Sequence, residues 1–458
     1  MAKPRPVAPG RITEPRFLGR RAFLGALVGA AGALAGPLTA YGNAATRPAG
    51  ALSSEVATTW FDQALELVRT TPGFSPPVAS QAFGYAGVTL FEALVPGMPD
   101  ARSLAGQLNG LTAPPGPADP AYHWPTVANS ALATILRYLF PTAPQASRDA
   151  AAALEQAWAR AFRPALPPGI YRRSVARGQS VADHIFAWSL DDGGHEGYLH
   201  NFPPYTPPTG PGLWQPTPPG FLPALQPFWG ANRPFVLASG DDCAPGAPLA
   251  YSTDPSSACY AEALEVRDTV NALSPEQRVL ATFWSDDPDQ TATPPGHSVS
   301  ILTQVLRSTG ARLDLAAEGY ARVGMAVADA FIACWRTKYR YNLLRPVTYV
   351  RDVMTDPSWT PLLTTPPFPE YTSGHSVQSG AAAEVLTALF GDLAFTDHTH
   401  DARGLAPRAF DSFWEAAREA AISRLYGGIH FRRAIVEGLA QGRCVGQAVN
   451  ALDLRGAS

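Results

Sequence analysis

Charge is scarce in this chain. Only 16% of its 458 residues are Asp, Glu, Lys or Arg, against 46% hydrophobic residues. That balance excludes a largely disordered chain, despite 46 prolines, and supplies a large core. Cysteine is scarcer still, with only Cys243, Cys259, Cys334 and Cys444. None of their spacings is that of a metal knuckle, which excludes a cysteine-bound structural zinc. Alternation of apolar and polar residues is rare, so sheets are not expected. No internal repeat is visible. The apolar run ending near Leu38 has roughly 16 residues, short of the ~20 that a membrane span needs.

That run belongs to another pattern. Arg20-Arg21-Ala22-Phe23-Leu24 precedes it, and small residues around Ala44 and Ala45 follow it. This is the layout of an export signal headed by a twin-arginine pair. Residues 1–45 are therefore predicted to be a targeting segment, and the remainder a periplasmic or extracellular protein with no stable membrane anchor. Six cations and one anion, Glu14, precede Ala45; without them the net charge moves from −3 to about −8. So acidic a chain is not expected to bind nucleic acid. In an exported protein, Cys243 and Cys259 could close one loop as a disulfide, the alternative being two buried thiols.

The rest reads as helix. Stretches 54–70, 125–139, 147–162, 170–190, 314–342, 374–391, 409–426 and 434–452 are rich in helix formers, with apolar residues recurring at three and four. An all-α fold follows. Its length suits two or three domains or one large bundle. The pattern stops between about 191 and 256, a Pro/Gly-rich stretch too long to be a simple connection, so it should cover a site or wrap the surface. The expected organisation is an N-terminal helical region over 46–257 and a C-terminal bundle over 258–458.

Chemistry-bearing residues gather in the C-terminal half. Lys338 and Arg345 lie seven apart, close to two helical turns, so both cations would share a face, an arrangement that favours an anion between them. Arg345 precedes Pro346, where a helix gives out. In Pro366-Pro367-Phe368-Pro369-Glu370-Tyr371-Thr372-Ser373-Gly374-His375, a stiff run delivers Ser-Gly-His to the start of an Ala-rich helix, where free N–H groups suit an anion. Ser373 would add a hydroxyl, Gly374 a close backbone approach, and His375 an acid or base. Arg424 and His430 lie six apart and can share a target only if the helix breaks at Gly427-Gly428. Each piece also has a plain structural reading: a solvated basic face, an N-cap, a helix corner.

Together, Lys338-x6-Arg345-Pro346, Ser373-Gly374-His375 and Ser423-Arg424-x5-His430 resemble the active site of the type 2 phosphatidic acid phosphatase and vanadium haloperoxidase superfamily. A looser similarity to bacterial vanadium-dependent haloperoxidases reaches back to Phe283 and includes Thr293-Pro294-Pro295-Gly296-His297. Two positions depart from the pattern. Thr372 stands where a proline precedes Ser-Gly-His. Ala434 stands where many members carry an Asp that orients the histidine; His430 should then be oriented by a backbone carbonyl or by Glu437.

The resemblance implies an all-α fold of two four-helix-bundle-like halves, with the oxyanion site at one end of the C-terminal bundle. It implies vanadate as cofactor, with His430 as the metal ligand and Lys338, Arg345, Ser373, Gly374 and Arg424 around the oxyanion. His375 and Lys338 would act on hydrogen peroxide. Trp335 and Phe368 would border the halide, and Asp286, rather than Asp287, would hold the arginine of the cage. Hydrogen peroxide, a halide and an organic acceptor are the implied partners. An acid phosphatase using the same site, with His430 attacking phosphorus, is the alternative; a non-catalytic oxyanion binder is the third. His195, His398 and His400 are expected to be loop residues.

Overall fold

The computed structural model describes residues 47–117 and 121–456; the export segment expected over 1–45 lies outside them. The fold is a succession of α-helices: α1 (Glu55–Thr70), α2 (Pro76–Leu94), α3 (Trp124–Leu139), α4 (Gln145–Phe162), α5 (Pro168–Ser189), α6 (Ala258–Asn271), α7 (Pro275–Phe283), α8 (Thr293–Ser308), α9 (Leu313–Tyr341), α10 (Pro346–Asp352) and α11 (Gly374–Phe390). A two-stranded antiparallel ribbon follows, β1 (Phe395–Asp397) against β2 (Arg408–Phe410), and then α12 (Phe413–Tyr426) and α13 (Arg432–Asn450).

Prolines start helices here more than they stop them. They occupy the first turns of α2, α3, α5, α7, α8 and α10, where the missing N–H costs nothing and the fixed φ suits the helix. This hid α2, α7, α8 and α10 from the sequence reading. Helix α2 is also buried on nearly every face, so it shows no polar stripe. It is long and apolar enough to cross a membrane, yet 94% of its apolar window is buried inside the protein. The helix expected from 409 begins at Phe413, because 408–410 pair as a strand.

The spine is α9, which packs along α2 and also touches α11 and α13. Glycine sets the distance between the first two. A Cβ on Gly87 would lie 2.2 Å from the Tyr320 carbonyl oxygen, and one on Gly324 would lie 2.6 Å from that of Phe83. Gly87→Ala should therefore destabilise the protein by about 1–3 kcal/mol through overpacking. Urea unfolding at neutral pH measures this; a loss below ~0.5 kcal/mol would show that the helices separate easily. One apolar cluster runs from Trp60 and Phe83 through Phe331 to Val377 and Val445.

Of the two alternatives for Cys243 and Cys259, a bridge or two buried thiols, neither holds for Cys243. Cys243 pairs with Cys444 on α13, across 201 residues, and Cys259 is free and half-buried. Cys259 lies on α6, which packs with α10 and α12 in a second apolar cluster away from that contact. The long irregular stretch, 191–257, wraps the end of α9. Its Leu225 carbonyl accepts hydrogen bonds from Trp335 Nε1 at 3.3 Å and Tyr339 Oη at 2.6 Å, and its N–H donates to Pro367 O at 2.8 Å.

Candidate active site

The end of α9, the strap 366–373 and the α12–α13 corner meet around a cavity of about 180 Å³. Leu225, Asp286, Trp335, Phe368, Gly374, His375, Arg424 and His430 are among its lining residues. Each element arrives for a local reason. Helix α9 stops because Asn342 turns left-handed, with φ 45°, so Arg345 lies beyond the helix as the N-cap position of α10. Ser373 caps α11, its hydroxyl oxygen accepting from Ser376 N at 3.4 Å while its own hydrogen stays free to donate. Gly428 takes φ 74°, which breaks the chain between α12 and α13 and returns His430 to the side of Arg424.

Arginine and histidine dominate the interior. The Arg345 Nε donates to Phe368 O and its Nη1 to Ile429 O, both at 2.8 Å, while Nη2 is buried without a partner. Arg424 donates to Ala281 O at 3.1 Å and to Ser423 Oγ at 3.0 Å. Burial pulls both guanidinium groups down to about 10. Arg424 lines the cavity and Arg345 stands behind its wall against His430, and desolvated cations so placed suit an anion.

Lys338 sits differently from expectation. Its ammonium donates to the carbonyls of Pro369 at 3.0 Å, Glu370 at 2.9 Å and Thr372. All three donors are thus turned onto the strap, as a buried ammonium requires. Its charge still acts on the cavity, since it helps to depress His430. Burial lowers Lys338 itself to about 7. Phe368 lies between the cations, its ring 5.1 Å from Lys338 Nζ and 4.9 Å from the Arg345 guanidinium, and 4.8 Å from the Trp335 ring.

Both histidines are held in one tautomer. Glu370 Oε1 lies 2.7 Å from His430 Nδ1, and Arg345 Nη1 lies 3.2 Å from its Nε2. A guanidinium can only donate, so Nε2 is the bare nitrogen and Nδ1 carries the proton. Burial and then Arg345, Lys338 and Arg424 hold this imidazole well below its ordinary value, hence neutral. His375 bonds the Trp284 backbone and its buried Nε2 has no partner. Burial, followed by Arg424, likewise keeps it neutral.

The group that meets His430 Nδ1 is therefore Glu370, not Glu437 or a carbonyl. Sequence reasoning missed it, although it is the one acid in the proline-rich strap. Burial pushes its carboxyl up to about 8, against the pull of Lys338 and Arg345. Asp286 also departs from expectation. Its carboxylate faces His297 Nδ1 at 2.8 Å and His400 Nε2 at 3.4 Å, and no ion pair with Arg424 is found among the described residues. It acts on Arg424 through the field, raising it against the effect of burial. His400 does lie in a loop, as expected, but is buried; His398 and His195 are exposed.

Asp286, His297 and His400 bring ligand atoms within 4.8 Å of one another, a spacing open to a metal. The chemistry opposes one. His297 Nε2 also faces Asp397 at 2.6 Å, so both ring nitrogens donate to carboxylates and no lone pair remains. Trp284 stacks on the same ring at 4.4 Å. This is the setting of a buried imidazolium.

Comparison with known proteins adds an independent line. The family described as the VCPO second helical-bundle domain matches residues 319–455. The solved structure of a bacterial vanadium-dependent iodoperoxidase is similar with a TM-score of 0.80 and 39% identity, covering 89% of this chain and 98% of that one. The vanadium chloroperoxidase of Curvularia inaequalis is 25% identical over 350 residues, 58% of this chain and 58% of its own length. The holo form of a bacterial vanadium-dependent chloroperoxidase shares the fold, with a TM-score of 0.65 at 17% identity over 83% of this chain and 92% of that one.

Proposed function

The chain belongs to the vanadium-dependent haloperoxidases, and on that premise we propose that it oxidises halide with hydrogen peroxide, iodide foremost, to a hypohalous-acid-like halogenating species. The carrying observation is His430 Nε2, left bare and neutral beside Arg345 in the cavity wall. The residues fit a vanadate oxyanion: the unprotonated His430 Nε2, which Arg345 Nη1 would have to release, for the metal, and the unpartnered Arg345 Nη2, Arg424, the Ser373 hydroxyl and the α11 N-terminus for its oxygens. Vanadate, when bound, supplies a Lewis-acid centre that activates peroxide without changing its oxidation state.

The protein's own groups do the rest. His375, neutral with Nε2 free, can take a proton from peroxide and return it to the leaving oxygen. Lys338 and the two arginines hold positive charge where negative charge develops. The balance is one halide, one hydrogen peroxide and one proton giving one hypohalous acid and one water. The wall formed by Trp335, Phe368, Pro366 and Pro367 offers a halide apolar surface, which costs least for the weakly hydrated iodide. The bacterial relative at 39% identity acts on iodide. An organic acceptor would then react with the oxidised halogen. The Cys243–Cys444 bridge suits an oxidising compartment, which supports export; the twin-arginine route rests on Arg20-Arg21.

The test assays iodide, bromide and chloride oxidation with and without added vanadate, alongside phosphate release from a model ester. Vanadate-dependent iodide oxidation is the expected result. Phosphate release without halide oxidation would instead assign the superfamily's acid phosphatase reaction, and bound vanadium with no turnover would leave an oxyanion binder.

A further inference from the structure

We propose that Glu370 is the positioning residue for His430 in this chain, replacing from the strap a carboxylate that would otherwise stand at position 434. The proposal rests on the reading that His430 ligates vanadium.

Glu370 is fixed at every polar atom but one. Its N–H donates to Leu343 O at 2.9 Å, and its carbonyl accepts from Lys338 Nζ at 2.9 Å. Its Oε1 takes both the Phe431 N–H, at 2.9 Å, and His430 Nδ1, at 2.7 Å. A backbone N–H can only donate, so Oε1 is an acceptor whatever the charge of the carboxyl group. One residue thus links the Lys338 ammonium to the His430 imidazole and presents Nε2 to the cavity.

Space explains why the carboxylate can come from the strap. Ala434 and Glu370 line the same void of about 20 Å³, together with Leu343, Tyr371 and Phe431. Glu370 is fully buried and Ala434 is 1% exposed, so a carboxylate at 434 would be desolvated beside the first. An acid at 434 would enter this space beside Glu370, and the single Nδ1–H of His430 could serve only one of the two carboxyl groups, leaving the other buried and unpaired. Ala434 leaves the room that Glu370 uses.

The two positions should therefore show opposite signs in the two backgrounds. Vanadate affinity is read by equilibrium dialysis with elemental analysis, without reference to turnover. Glu370→Ala should weaken it by roughly 10–100-fold, the usual effect of losing an orienting partner. Glu370→Gln, which keeps an oxygen acceptor, should lose less. Ala434→Asp alone should weaken binding, but added to Glu370→Ala it should recover most of the loss. Nitrogen-15 spectra of histidine-labelled, vanadate-free protein should show a hydrogen-bonded, exchange-protected Nδ1 proton on His430 in wild type and Glu370→Gln, and loss of that protection in Glu370→Ala. Glu370→Met, which fills the space without an acceptor, takes the place of the alanine variant if that does not fold.

The proposal is overturned if the acceptor-free variant binds vanadate within twofold of wild type with the Nδ1 proton still protected from exchange. It is equally overturned if Ala434→Asp acts with the same sign in both backgrounds. A wild type that binds no vanadate rejects the ligation reading instead, and the protection of the His430 Nδ1 proton still decides the role of Glu370.

Discussion

His430→Ala should retain no vanadate, whereas His375→Ala should keep it and turn over about 10²–10⁴-fold more slowly, the range for losing a general acid or base. The two histidines look alike by residue type and burial, but their surroundings separate them. His430 has its Nδ1 committed to Glu370 and its bare Nε2 beside Arg345. Removing it takes away the only imidazole, among the described residues, held between a carboxyl group and a cage arginine. The remaining cations can attract an oxyanion but cannot replace a coordinate bond. His375 is anchored by the Trp284 backbone and has nothing on Nε2, a group placed to exchange protons. Equilibrium vanadate binding to both variants, with bromide and iodide oxidation in parallel, separates the roles. If His430→Ala bound vanadate as well as wild type, and wild type released phosphate from a model ester without oxidising bromide, the histidine would be a nucleophile and the phosphatase assignment would be right.

The cage residues were legible because each motif forces a chain break beside a charge. Arg345 before Pro346, Ser373-Gly374 at a helix start and Gly427-Gly428 before His430 all announce where a backbone must turn. Periodicity also exposed α1, α3, α5, α9 and α13, which have one polar side. It failed for α2, which has none, for α6, whose apolar stripe is weak, and for α7, α8 and α10, whose opening prolines read as breaks. Contacts between distant segments were beyond reach. Nothing local tells that Glu370 rather than Glu437 meets His430, since that depends on how the strap crosses α13. The same holds for Cys243 meeting Cys444 in place of its sequence neighbour Cys259. His297 and Asp397 are a hundred residues apart and share no pattern.

That last pair makes the second large prediction. His297→Ala should cost about 3–5 kcal/mol of stability at neutral pH, the usual penalty for stranding buried charge. Burial alone would lower the imidazole, but Asp286 and Asp397 outweigh it and raise His297 to about 10. Burial would raise Asp397, yet His297 overrides it and brings it to about 2; Asp286 is likewise held well below the usual carboxylate range. The sign of the pH dependence follows. A histidine raised from 6.5 to about 10 contributes stability that is complete below 6.5 and is lost as pH climbs through 10. A carboxylate lowered from 3.8 to about 2 contributes above 3.8 and loses its share as pH falls through 2. The gap between wild type and His297→Ala should thus be widest between about pH 4 and 6.5 and close towards either end. Urea unfolding across that range measures it. Adding Asp397→Asn to His297→Ala should recover part of the loss, because one of the two stranded charges is gone. A gap below ~1 kcal/mol at pH 6, or one that widens towards pH 10, would mean that His297 is neutral and that Asp286 is held beside the cavity by something other than an imidazolium.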